Sequence, residues 1–163
     1  MNNEILKKRF YKLNKQYIAL RDYKNAIDDL ILEKDIFDQF IFNTLDIKEK
    51  ALLDAYLKRF SSVQDFLGSR IFSSILELAS YSNIKMNEIL YNCEKEQIID
   101  DINIWIELRE IKNDLEHDYP EELQEALNGL KYCIEHFSSL EKYYLNSLSF
   151  AAKFMDGLDE IIQ

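Results

Sequence analysis

Apolar residues recur along most of this chain at intervals of three, four or seven, the spacing of one helix face and not the alternation of a strand. From Glu4 to about Leu32, the positions Leu6, Phe10, Leu13, Tyr17, Leu20, Ala26 or Ile27, and Leu30 hold this register with one skip and predict a long amphipathic helix. The segment Asp35 to Leu45 carries Ile36, Phe37, Phe40, Ile41 and Phe42, either as a continuation of that helix or as a short separate one. Asp46 followed three residues later by Glu49 has the form of a helix start, and Leu53, Tyr56, Leu57, Phe60, Val63 and Phe66 or Leu67 then run towards Leu78 as a second long helix. Gly68 falls inside it. A glycine there costs up to about 1 kcal/mol relative to alanine unless a close neighbour uses the missing side chain, so another helix is expected to cross at that point.

Beyond the polar Ser80 to Asn83 stretch, the pattern predicts a shorter helix from Met86 to about Lys95 and another introduced by Asp101 as its cap. In that next helix Ile104, Leu108, Ile111 and Leu115 form the expected buried stripe, with Trp105 beside it, and Pro120 is expected to end it. Leu123, Leu127, Leu130, Ile134, Phe137 and Tyr144 share one face of a carboxyl-terminal helix running towards Leu148 and Met155. No repeat and no linker of low complexity divides the chain. An all-α fold follows, an up-and-down bundle of four to five helices forming one domain over residues 1–163.

Composition agrees: three glycines and one proline in 163 residues leave little material for tight turns. Cys93 and Cys133 are far apart and match no metal spacing, so they read as two small buried hydrophobes in a reduced, cytoplasmic protein, with no metal and no cofactor expected. The amino-terminal residues lack the basic-then-apolar order of a leader. Charges interrupt every apolar run well before the roughly 20 residues a membrane span needs, which predicts a soluble protein.

The net charge of −10 argues against general nucleic-acid binding, which depends on Lys and Arg displacing counterions. Its distribution is uneven, however. Lys7, Lys8, Arg9, Lys12, Lys15, Arg21 and Lys24 crowd the first 24 residues, opposed there only by Glu4 and Asp22. Such a split suits an RNA-facing patch, a docking surface for an acidic protein face, or a merely solvated helix face.

The candidate chemistry lies near Pro120. Arg109, Asn113 and His117 are four residues apart and stack on one helix face opposite the apolar stripe, with Lys112 beside them. Two cations, an amide and an imidazole in the last turns of a helix have the form of a functional helix end. The same residues also suit plain surface roles: Arg109 paired with Glu110, Lys112 paired with Glu116, and His117 placed where the helix dipole favours its charged form. His136 reads as an exposed histidine off its stripe, and Glu121, Glu122 and Glu125 as an acidic first helical turn. The tyrosines and phenylalanines at helical spacing read as core.

The run from Trp105 to Pro120, with Lys112, Asn113, His117 and Tyr119 in order, resembles the motif of the HEPN superfamily as HepT-like ribonuclease toxins carry it. In that motif an arginine followed by an asparagine leads to a histidine four to six positions on, and then, after one residue, to a tyrosine. Lys112 stands here at the arginine position. The preceding residues from Cys93 to Asp100 also resemble the family's approach to its motif helix, and the likeness spans roughly Met86 to Leu130. The resemblance implies a metal-independent ribonuclease of a toxin–antitoxin pair, a homodimer whose two motifs face each other. It further implies an RNA substrate and an MNT-type nucleotidyltransferase antitoxin as partner. His117 would be the general base, Asn113 an orienting group, and Lys112 and Arg109 the phosphate-binding cations. Tyr119 would be the tyrosine that the partner modifies with AMP. Because lysine lacks the planar fork of arginine, the alternative is a catalytically weak or inactive HEPN binding partner of a nucleotidyltransferase. A third reading, a helical scaffold unrelated to HEPN, leaves this surface without chemistry.

Overall fold

Asn2 opens the first helix, its Oδ1 accepting the backbone N–H of Glu4 at 2.8 Å, one of the donors that a helix start leaves unmatched. The computed structural model describes residues 2–82, 85–117 and 121–161, and for His117 the backbone alone. Helix α1 spans Asn3–Glu33 and buries Leu6, Phe10, Leu13, Tyr17, Leu20, Ile27 and Leu30, the stripe read from the sequence. Lys34 then turns extended, with φ −142° and ψ 143°, so the next segment is a separate short helix, α2, Gln39–Phe42. Asp46 and Glu49 form the reciprocal capping box that starts α3, Ile47–Phe66.

The second long rod is not uniform. After Phe66 it widens into a π-helical turn, Leu67–Ile71, and resumes as α4, Phe72–Leu78. Gly68 lies in that turn, and a Cβ placed on it would stand 3.2 Å from Cζ2 of Trp105. The helix expected to cross at Gly68 is therefore the one carrying Trp105. Helix α5 follows as Met86–Lys95, then α6 as Ile102–His117. The helix end expected at Pro120 lies outside the described residues.

Two helix ends close in the same manner. The N–H of Tyr81 reaches the Leu76 carbonyl at 3.0 Å, and the N–H of Ile98 reaches the Cys93 carbonyl at 2.8 Å. Each closure places the preceding residue in left-handed backbone, Ser80 at φ 66° and Gln97 at φ 60°, where glycine is the usual occupant. The carboxyl-terminal run is divided where one helix was expected: α7, Leu123–Glu135, and α8, Phe137–Ala151, meet at His136. His136 departs from the reading of an exposed residue. It is half-buried, its Nδ1 lies 2.9 Å from the Tyr132 carbonyl, and its ring stacks on Tyr132 with centroids 4.0 Å apart. The break takes a single residue, His136 at φ −97° and ψ 16°, and the apolar spacing reads across it.

The described residues form an all-α bundle with no strand. Its long members are α1, the α3–α4 rod, α6 and the α7–α8 pair; α2 and the break at His136 account for the larger number of segments than the four or five expected. Side chains from these members join in one continuous buried cluster, which also takes in Met155, Leu158 and Ile161 beyond α8. Among the described residues no helix is long and apolar enough to cross a membrane.

Several phenols sit in that core with their hydroxyls satisfied: Tyr56 donates to the Cys133 carbonyl at 2.9 Å, Tyr143 to Asp100 at 2.9 Å, Tyr144 to Asn14 at 2.7 Å, and Tyr17 to Glu141. Burial raises the pKa of all four above the ordinary phenol value of 10.0. The Cys93 and Cys133 thiols, both fully buried, are likewise pushed up by burial, Cys133 to about 12.

Two predictions arise from this packing. The folded protein holds protons that the unfolded chain releases near its ordinary thiol and phenol values of 9.0 and 10.0. The stability they contribute is thus fully present below about pH 9 and is lost as pH rises towards and beyond the folded values, from about 12 upward. Urea midpoints should fall steadily above about pH 9. In addition, Gln97→Gly should raise the unfolding free energy by about 0.5–1 kcal/mol, because the exposed Gln97 side chain gives up little and its left-handed backbone is relieved; chemical denaturation measures it.

Candidate functional site

Helix α6 positions the candidate residues, and its start is well supplied with acceptors. Asp101 Oδ1 accepts the N–H of Asn103 at 2.8 Å, as expected of its cap, while Glu94 Oε2 accepts the N–H of Ile102 at 2.7 Å. The face that α6 turns to the core is carried by Trp105, Leu108, Lys112 and Leu115, with Ile104 and Ile111 half-buried at its margins. The spacing of those four, three then four then three residues, is that of a seam between packed helices.

That seam corrects the placement of Lys112. Expected beside Arg109 on the polar face, it is 1% exposed and packs across to α3. Its Nζ donates to Asp65 Oδ1 at 2.7 Å, to Ser61 Oγ at 3.3 Å and to Asn113 Oδ1 at 3.2 Å. An ammonium has three N–H donors, and these three acceptors use all of them. Ser61 Oγ in turn donates to Glu116 Oε2 at 2.9 Å, so Lys112 communicates with Glu116 through Ser61 rather than by the direct pair weighed above. The lysine stem fills core volume, and the desolvation cost of its charge is offset by Asp65, whose own side chain remains 62% exposed. A cation held in this way has no spare donor for a phosphate.

Arg109 is placed differently. It is exposed, and among the described residues no ion pair holds it, including with Glu110. It stands on the rim of a cleft of about 140 Å³ between α6, the α3–α4 rod and the start of α5, lined also by Gln64, Asp65, Gly68 and Trp105. Asn113, one turn further along α6, is half-buried, and its Oδ1 is engaged by Lys112. His117 is the last described residue of α6, eight positions beyond Arg109; its backbone register is described and its side chain is not. Tyr119 lies outside the described residues, as do Asp118 and Pro120.

The basic residues of α1 are partly spent within the fold. Arg9 Nη1 donates to the Arg70 carbonyl at 3.1 Å and to Ser74 Oγ at 3.0 Å, and Lys24 pairs with Asp28 at 2.6 Å. Lys8, Lys12 and Lys15 stay exposed, with Lys12 set over the Phe66 ring at 5.7 Å. Cys93 and Cys133 are buried, which suits the hydrophobic role expected of them.

Sequence reasoning missed Ser61, Gln64 and Asp65, because nothing in α3 by itself says which of its polar residues face another helix. The burial of Lys112 had a signal in the seam spacing that it shares with Trp105, Leu108 and Leu115. No family model matches the chain, nor does any curated protein or solved structure.

The Lys112–Asp65 geometry predicts an asymmetry between its two partners. Asp65→Ala would leave a buried ammonium without its counter-charge and should cost about 3 kcal/mol of stability. Lys112→Met keeps the volume, leaves an already solvated carboxylate, and should fall within about 1 kcal/mol of the unmodified protein or exceed it. Urea unfolding of the two variants side by side checks the ordering.

Proposed function

We propose that the chain is a HepT-like member of the HEPN superfamily: a cytoplasmic, toxin-type ribonuclease that works as a homodimer without metal and is neutralised by an MNT-type nucleotidyltransferase. The observation that carries this reading is the exposed Arg109, without an ion pair among the described residues, at the mouth of a cleft on the helix that also carries His117. With Lys112 committed to Asp65, Arg109 takes over the phosphate-binding duty that the motif gives to an arginine one turn later.

In this mechanism a neutral His117 removes the proton from an RNA 2′-hydroxyl, and the freed oxygen attacks the adjacent phosphorus. The Arg109 guanidinium stabilises the charge that gathers on the phosphoryl oxygens. The 5′-oxygen of the following nucleotide leaves and is protonated, giving a 2′,3′-cyclic phosphate and a free 5′-hydroxyl. Asn113 acts as a positioning residue, holding one N–H of Lys112 and so the seam beneath the site. Tyr119, two residues past His117, is the candidate for AMP addition, which would bring negative charge and bulk to the groove and exclude RNA.

The burial of Lys112 favours a second reading, in which catalysis is weak or lost and the chain serves as the binding partner of the nucleotidyltransferase. Incubating the purified protein with RNA in excess chelator separates the two. The ribonuclease reading expects products ending in cyclic phosphate, loss of at least about 10²-fold in rate for His117→Ala, and a loss of similar order for Arg109→Ala. Lys112→Met should stay within a few-fold. Cleavage that survives His117→Ala removes the proposed base. An unmodified protein that leaves RNA intact yet co-purifies with its nucleotidyltransferase supports the second reading.

A further inference from the structure

The cleft beside Arg109 has a composition that the cleavage step does not use. Its buried lining is Trp105, Gly68 and Gln64, at 2% exposure for Trp105 and 1% for Gln64, while Asp65, Met86 and Arg109 reach the surface around it. Gly68 forms part of its wall, packed so closely that a Cβ there would stand 3.2 Å from the indole. Gln64 donates its Nε2 to the Trp105 carbonyl at 3.1 Å, which fixes the orientation of the amide. Its Oε1 is buried and, among the described residues, has no hydrogen-bond partner. A buried acceptor without a donor is a costly arrangement, and it favours a guest that brings an N–H.

We propose that this cleft is a base-binding subsite that receives one amino-bearing nucleobase of an RNA strand, adenine, cytosine or guanine, with Arg109 on the attached phosphate. At about 140 Å³ the space suits a single planar ring system. The indole edge, the thioether of Met86 and the missing Gly68 side chain make the walls apolar, as a ring face requires. Gln64 Oε1 and the Asp65 carboxylate are acceptors, and an exocyclic amino group supplies the matching donor. Uracil fits worse, because its one N–H is flanked by two carbonyl oxygens that would face those acceptors. The choice of RNA as the source of the base rests on the ribonuclease reading above. The cleft would give that enzyme a preference for the nucleotide next to the cleaved bond.

Trp105 is the chain's one tryptophan, so its emission reports on this cleft directly. Titration of the intact protein with AMP, CMP and GMP should give a saturable change, with UMP about ten-fold weaker, and with no change from ribose 5-phosphate or inorganic phosphate. A fully 2′-O-methylated trinucleotide, which cannot be cleaved by 2′-hydroxyl attack, should bind about ten-fold tighter than the mononucleotides through its added phosphates. Ser69→Phe, which fills the cleft from an exposed position, should abolish the response while the helical circular dichroism is retained. Gln64→Met should weaken nucleotide binding about ten-fold by calorimetry, provided the fold is retained.

The subsite is overturned by the absence of a saturable response to any base-bearing nucleotide, by an equal response to ribose 5-phosphate, or by an undiminished response in Ser69→Phe. Equal affinity for trinucleotide and mononucleotide overturns the assignment to RNA in favour of a free nucleotide. The cleavage assay run on the same samples keeps the two readings apart. RNA cleavage without a nucleotide response removes the subsite alone, and a nucleotide response without cleavage supports the subsite while removing the ribonuclease.

Discussion

The close crossing of α6 over the π-helical turn at Gly68 sets the geometry of everything near the candidate site. The widened turn buries Leu67, Gly68 and Ile71 together, and the missing Cβ lets the Trp105 indole approach the backbone. That indole also meets Phe72 at 4.9 Å and Tyr143 at 5.9 Å between ring centroids, so the α3–α4 rod, α6 and α8 converge on one side chain. Gln64 locks the crossing with its bond to the Trp105 carbonyl. Once Trp105 is seated, the remaining register between the two helices is determined. Moving forward along α6 means moving back along α3, from Gly68 opposite Trp105 to Asp65 and Ser61 opposite Lys112. Arg109 lies between these two contacts and is turned outward.

This register divides the two cations of the motif helix between structure and surface. Lys112 meets three acceptors and loses access to solvent, while its charge neutralises the Asp65 carboxylate that would otherwise repel an approaching phosphate. Its influence extends into the core: burial pushes the Cys133 thiol up to about 12, against the opposing pull of the Lys112 charge. Arg109, at the cleft mouth, has no ion pair among the described residues. In a chain of net charge −10, an exposed guanidinium beside a neutralised carboxylate is a local exception, and local charge governs where an anionic ligand settles.

Much of the helical framework was legible in the residue pattern. The buried stripe of α1, the Asp46–Glu49 capping box, the extent of α5, the Asp101 cap and the need for a helix to cross Gly68 all follow from local spacing and side-chain chemistry. Other features were not. The break at His136 takes a single residue, across which the apolar spacing still reads as one helix. The π-helical turn adds a residue without a local signature, and Ser80 and Gln97 occupy left-handed positions that a reader assigns to glycine.

The candidate site divides in the same way. The sequence by itself determined that Arg109, Asn113 and His117 share the register of one helix, because four-residue spacing needs only helix geometry to be read. It could not determine which charges on that helix are free, because a lysine can extend to water or lie across a neighbouring helix at the same position. Only the tertiary structure decided that Lys112 is a buried strut between α6 and α3 and that Arg109 is the exposed cation. The decision depends on Ser61, Gln64, Asp65 and Gly68, residues more than 40 positions away in the chain, whose positions opposite α6 are set by how closely an indole can approach a glycine.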